Sequence, residues 1–518
     1  MTGADMLYLA PLLCLLAGGL AVMLVDAFAP KGPGAQRADL ATLTTVVLLA
    51  AAGLSIALWM KGATRGPEWI TSYLATDRVS LFFDVVICGG AAFSVLLAGG
   101  YLREHELDRG EFYPLVLFSA FGAIVLARST DMLSLFIGLE TMSLGVYSLV
   151  AFRRTSPRSA EGALKYFLLG SFAAAILLFG AALLYGATGH TDLAGIGAAV
   201  KGGHADSRLT IIGLLLVLVG LAFKVSAVPF HQWTPDAYEG AITPVTTFMS
   251  VAVKTAAFAV LLRVLVVSFS DPLSASVTTG WPTVLAALAA ITMVVGNLAA
   301  AVQTSVKRML AYSSIAHAGY ILVAFVALPS QGESAVSAVL FYLAAYTVSN
   351  ALAFGSLILI GSRGREAVSY DDLAGVGRRH PLVALPFVIG MLSLMGFPPT
   401  AGFFAKYYVF NVAVHAGGGM VWLAVLGVLS SVIGAYYYLR VVVMMFMKDP
   451  KEGQTIAVPM KSGYVVVALV LSAYFVLRMG LAPGAYLDWA HEAAKAPSSF
   501  DTHVIIGAAS LSDAAVPE

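Results

Sequence analysis

Lys224, Lys254 and Lys406 lie in stretches otherwise apolar enough to cross a membrane, and Glu140 lies at the centre of another, in SLFIGLETMSLG. A charge at the centre of a spanning helix costs roughly 2.5 to 3.5 kcal/mol on insertion scales, so such residues face a bundle interior and mark ion or proton pathways. Proton transfer is the chemistry these types support. An unperturbed lysine, with a pKa of about 10.4, holds its proton too firmly for ready exchange. A nearby carboxylate favours the charged form, so moving the carboxylate switches the lysine between holding and releasing a proton. Glu140 is the expected partner.

His231, beyond Lys224 in FKVSAVPFHQW, and His317, in LAYSSIAHAGY, are weaker relay candidates. Imidazole titrates in a useful range, but a lone membrane histidine often only packs. Glu161 and Lys165 are four residues apart and share a helix face; an interfacial pair and a role in proton uptake stand level for them. Asp84, Asp236, Glu239, Arg263 and Arg440 read as structural, with Arg263 expected to snorkel towards a membrane surface. Tyr436 to Tyr438 could line a polar path, and read first as interfacial belt or packing.

These residues must be positioned by membrane helices. Over 518 residues the chain is 59% hydrophobic and 11% charged, with mean hydropathy +0.86. This excludes a soluble globular protein. Apolar runs of about 20 residues, enough to cross a hydrocarbon core of about 30 Å, recur near 6–27, 39–60, 79–101, 111–128, 130–151, 162–186, 209–228, 241–269, 281–301, 309–327, 335–361, 381–415, 420–446 and 462–480. The expected fold is an all-α polytopic membrane protein of about fourteen spans. The stretch from Gly186 to Arg208 is a long loop with no soluble domain.

Two spans adjoin or contain proline breaks, at Pro229 and at Pro398 and Pro399, and each break frees backbone groups that polar partners or water must satisfy. Lys224 precedes its break and Lys406 follows its own. Such reversed order fits inverted repeats. The expected division is three N-terminal spans in 1–110, a five-helix repeat in 111–269, a second, inverted one in 281–446, and a last span and tail in 447–518. No lysine or arginine precedes Lys31, so the first span reads as retained rather than as a cleaved signal. Alternate loops carrying Lys31, Arg37, Arg103, Arg109, Arg153, Arg154, Arg158, Lys307, Arg308, Arg363, Arg365, Arg378, Arg379, Lys448, Lys451 and Lys461 hold about twice the positive charge of the others. By the positive-inside rule they are cytoplasmic, which places both termini outside.

Net charge is +1 and no basic stripe with interleaved aromatics occurs, so nucleic acid is not an expected partner. Cys14 and Cys88 stand singly in apolar runs and suit neither a disulfide framework nor an iron–sulfur site. With no dinucleotide fingerprint or P-loop, the expectation is no cofactor and no metal on this chain. Small-residue runs such as GSFAAA and GAALLYG suit close helix contact.

The segments FKVSAVPFHQWTPDAYEGAITPVTTFMSVAVKTAAF, SVKRMLAYSSIAHAGYILV and MGFPPTAGFFAKYYVF, in this order, resemble the proton-pumping antiporter-type membrane subunits of respiratory complex I. The similarity is to the subunit N type of bacterial NADH-quinone oxidoreductase, the counterpart of mitochondrial subunit 2, over roughly spans two to fourteen. It implies that Glu140 and the lysines at 224, 254 and 406 form a proton channel in a bacterial inner membrane. It also implies partners: neighbouring antiporter-like and small membrane subunits, a redox arm using NADH, FMN, iron–sulfur clusters and quinone, and membrane lipid. Lysine at 406 differs from the glutamate of the M type. The L type carries a long lateral helix and extra spans, whereas this sequence runs only about forty residues past span fourteen. The alternative is a subunit of a multi-subunit cation/proton antiporter. A further alternative is a membrane anchor whose charges have lost their role.

Overall fold

A computed structural model describes residues 5–29, 38–62, 66–361, 364–417, 419–450 and 459–495. Lys31, Arg37, Arg363, Lys451 and the tail beyond Lys495 lie outside these residues. Among the described residues twelve helices are long and apolar enough to cross a membrane, and three shorter ones, Phe112–Arg128, Pro381–Met395 and Ala401–His415, complete the bundle. In chain order they are α1 (Ala10–Phe28), α2 (Ala38–Met60), α3 (Arg78–Glu104), α4 (Phe112–Arg128), α5 (Met132–Val150), α6 (Pro157–Thr188), α7 (Ser207–Val225), α8 (Thr243–Ser268), α9 (Trp281–Ala301), α10 (Val306–Val326), α11 (Leu328–Ile360) and α12 (Pro381–Met395). Then follow α13 (Ala401–His415), α14 (Val421–Met447) and α15 (Gly463–Leu481). The broken twelfth span is thus two half-helices, α12 and α13.

Helices α3, α8, α10 and α11 form the buried centre, while α1, α6, α9 and α14 show apolar side chains outward. Where lipid replaces water, helices associate through close packing and polar contacts rather than hydrophobic burial. Gly122 of α4 and Gly138 of α5 show this: a Cβ on either would come within 2.5 Å of the other helix's backbone.

Two expectations need correction. Residues 186–208 are not simply a loop, because Leu193–Lys201 is helical, with the Asp192 side chain accepting from the Gly195 amide. Arg263 does not snorkel. Only 1% exposed, it donates two hydrogen bonds to Asp77, at 2.9 and 3.2 Å, and one to Ser80 at 2.9 Å. The paired carboxylate removes the reason to reach for water, since a buried charge is tolerated when paired and hydrogen-bonded. Tyr436 to Tyr438 divide between the expected belt and packing roles. Successive residues turn about 100° around a helix, and only Tyr436 faces out, at 60% exposure, while Tyr437 and Tyr438 are buried.

Candidate functional site

Each proline break supplies unpaired backbone groups, and each is closed by side chains. After α7, Ser226 turns left-handed, the Trp233 indole donates to Phe223 O at 3.0 Å, and Thr292 Oγ1 accepts from Val228 N at 2.9 Å. After α12, Gly396 turns left-handed and Ser393 Oγ accepts from Gly402 N at 3.2 Å. Lys406 Nζ reaches back to donate to Met395 O at 2.9 Å.

The reversed lysine order therefore gives one common arrangement. Lys224 lies in the last turn of α7 and the Lys406 ammonium sits on the last residue of half-helix α12. The C-terminal end of a helix carries about half a negative charge, which favours a cation there.

Lys224 Nζ donates to Ser143 Oγ at 2.8 Å and more weakly to Tyr147 Oη at 3.5 Å, both on α5, and lies 5.6 and 5.7 Å from the Tyr147 and Tyr166 ring centres. Glu140 lies one turn before Ser143 on the same helix, α5. The expected direct pairing is absent among the described residues: Lys224 meets Ser143, whose hydroxyl donates to Leu139 O. Glu140 Oε1 is buried with no hydrogen-bond partner among the described residues.

Lys254 follows a π-helical turn, Met249–Val253, and donates to Ser314 O at 2.7 Å and Ser314 Oγ at 2.5 Å. Ser313 Oγ and Tyr438 Oη are 2.5 Å apart. His317 Nδ1 is 2.7 Å from Tyr342 Oη and its Nε2 3.2 Å from Tyr438 Oη. Tyr320 presents its ring to Lys406 Nζ at 4.8 Å from the ring centre, and Asn297 Nδ2 donates to Tyr320 Oη at 2.9 Å. Residues three and four apart share a helix face, so α10 carries Ser313, Ser314, His317 and Tyr320 as one polar stripe. It runs from Lys254 to Lys406. No direct hydrogen bond among the described residues joins Lys224 to Lys254.

The remaining candidates lie elsewhere. His231 Nδ1 is buried without a hydrogen-bond partner among the described residues. Lys165 pairs with Glu161 at 2.6 Å and with Asp236 at 2.8 Å, and Arg308 pairs with Asp236 at 2.7 Å and Glu239 at 3.0 Å. This network ties α6 and α10 to the short helix Trp233–Gly240 at the bundle end from which α8 and α10 start.

Sequence reasoning missed two features. Of the buried tyrosines flanking His317, Tyr342 of α11 carries no local signal, and Tyr438 of α14, which could line a polar path by sequence, is joined to His317 only by the fold. Glu366, after α11, was passed over among loop residues. It accepts from Tyr101 Oη at 2.5 Å, from Thr243 Oγ1 at 2.8 Å and N at 3.2 Å, and from Lys307 Nζ at 3.1 Å. Burial alone would raise the Glu366 carboxyl, but the Lys307 ammonium and the Tyr101 and Thr243 donors outweigh it and hold it at about 2, below its usual 4.5.

Fold and site define a polytopic membrane protein with buried cations joined in part by a polar stripe. The sequence matches the family model described as NADH:quinone oxidoreductase/Mrp antiporter, TM, over residues 129–434. It is 57% identical over 489 residues to NADH-quinone oxidoreductase subunit N 1 of Sorangium cellulosum, covering 92% of this chain and 95% of that protein. It is 41% identical over 520 residues to NADH-quinone oxidoreductase subunit N of Myxococcus xanthus, covering 95% and 97%. Among solved structures, a chain of respiratory complex I from Thermus thermophilus superposes with TM-score 0.76 at 38% identity, covering 92% of this chain and 98% of that one. A chain of the Mrp complex from a Dietzia species gives TM-score 0.80 at 21% identity, covering 98% and 100%, a likeness of fold alone. The chain belongs to the NADH:quinone oxidoreductase/Mrp antiporter membrane-subunit family, on the NADH-quinone oxidoreductase subunit N branch.

Proposed function

We propose that this chain is a proton-translocating module of an NADH:quinone oxidoreductase, and that Glu140, Lys224, Lys254 and Lys406 carry its protons. The supporting observation is the α10 stripe, which places Ser314, His317 and Tyr320 between two buried lysines. Electrons pass from NADH to quinone on other subunits, where FMN and iron–sulfur clusters reside. This chain supplies hydrogen-bonding groups and charges.

The step sequence follows from the contacts. When the charge at Glu140 changes, Lys224, held by Ser143, loses or gains its reason to stay protonated. Lys254 passes a proton to the Ser314 hydroxyl side of α10, and His317, held between Tyr342 and Tyr438, relays it towards Lys406. Moving one charge across 100 mV takes about 2.3 kcal/mol, so transfer must be tied to discrete charge states and not to leakage. His231, Glu161 and Lys165 are secondary candidates at the end where α8 begins.

In this reading the two lysine-bearing broken helices belong to units 111–269 and 281–446 of opposite membrane orientation, following three helices in 1–110, with a last span and tail in 447–518. The membrane is the bacterial inner membrane, with both termini outside the cytoplasm. The test is Glu140→Gln in the intact complex, followed by NADH-driven acidification of vesicles. Loss of acidification in assembled complex supports the reading, and unchanged acidification at unchanged turnover contradicts it.

A further inference from the structure

Glu366 lies off the lysine row, yet it fastens the two helices that make its central contact. One carboxylate gathers Tyr101 from the end of α3, Thr243 from the start of α8 and Lys307 from the start of α10. Lys307, 1% exposed, also donates to Ala241 O at 2.5 Å, just before α8. The Glu366 side chain is 18% exposed. Helices α8 and α10 are thus joined at their first residues, and they meet again where Lys254 donates to Ser314.

Between these two points α8 makes its π-helical turn, Met249–Val253. A π-turn accommodates one extra residue. Shifting that residue would rotate all that follows by about 100° and turn Lys254 away from Ser314. The lysine therefore faces its partner only while the start of α8 keeps its register against α10. We infer that Glu366 is a positioning residue that fixes this register and so seats Lys254 on Ser314. The ion pair suits the task, because a largely buried Lys307 left without its carboxylate is strongly unfavourable and no other ion pair to it occurs among the described residues.

This inference rests on the reading that Lys254 carries protons. The test uses the intact complex in native membranes, with Glu366→Gln, Thr243→Val, the double variant Glu366→Gln/Lys307→Met, and Lys254→Ala as reference. Assembly, kcat and KM for quinone, and vesicle acidification are measured. Glu366→Gln should lower kcat at least fivefold with KM for quinone unchanged, and Thr243→Val about twofold. Adding Lys307→Met should restore assembly without restoring kcat, because it removes the stranded charge but not the missing link. Turnover within twofold of the parent in Glu366→Gln, or full recovery in the double variant, overturns the inference. If Glu366→Gln fails to assemble, Thr243→Val decides: reduced kcat at normal KM supports positioning, and normal kcat assigns Glu366 to folding alone. Unchanged pumping in Lys254→Ala would instead defeat the proton-path reading beneath it.

Discussion

Gly396→Ala tests whether the placement of the Lys406 ammonium matters. Gly396 has φ +88°, and an added Cβ would lie 3.0 Å from Lys406 Cδ. The left-handed backbone costs an L-residue about 1–2 kcal/mol. The methyl contact acts on a flexible side chain, so the lysine gives way and its Nζ leaves Met395 O, now 2.9 Å distant. A hydrogen bond from a charged group contributes about 1.5–3 kcal/mol, and each 1.4 kcal/mol is about tenfold in a population or a rate. We expect the complex to assemble and NADH-driven quinone reduction to fall roughly tenfold or more. Gly417→Ala is the control, since Gly417 has φ +61° and nothing within 4 Å of an added Cβ. It carries the same kind of backbone strain with no lysine to displace, so turnover should stay near the parent. The assay is quinone reduction in membranes, normalised to assembled complex. Equal turnover in the two variants would refute the argument.

Two further outcomes follow from the charges at the ends of the bundle. Arg263→Met strands the buried Asp77 carboxylate, and breaking such a pair costs about 3–5 kcal/mol; thermal stability of the complex should drop sharply, and Asp77→Asn/Arg263→Met should recover most of it. The Glu366 carboxyl, depressed from 4.5 to about 2, stabilises the fold above its unfolded pKa, and this contribution is lost as pH falls from about 4.5 to about 2. The shift of 2.5 units corresponds to about 3 kcal/mol at 1.36 kcal/mol per unit. Acid titration of thermal stability should show this component in the parent and not in Glu366→Gln.

The spans and the four central ionisable residues were legible in the sequence because a lysine or glutamate inside an apolar run of membrane length stands out without tertiary information. The breaks were legible for the same reason, as proline chemistry is local. Partners were not. Whether Arg263 reaches water or Asp77 depends on a residue 186 positions away, and the Tyr438 contact with His317 spans 121 positions. Tyr437 and Tyr438 look like an interfacial belt in sequence, because burial on one side of α14 is set by packing against α9 and α10. Glu140 stands out as a carboxylate in an apolar run, but Ser143, the side chain that meets Lys224, is small and unremarkable in sequence. Glu366 sits in a loop with other charges, and only the fold brings Tyr101, Thr243 and Lys307 to it.

The central claim is that the buried lysines carry protons, and replacing Lys254 with alanine tests it most directly. In assembled complex reconstituted in vesicles, the account predicts loss of both NADH-driven quinone reduction and acidification. Normal rates of both, with Lys254 gone, would contradict the account and leave the chain as a membrane anchor.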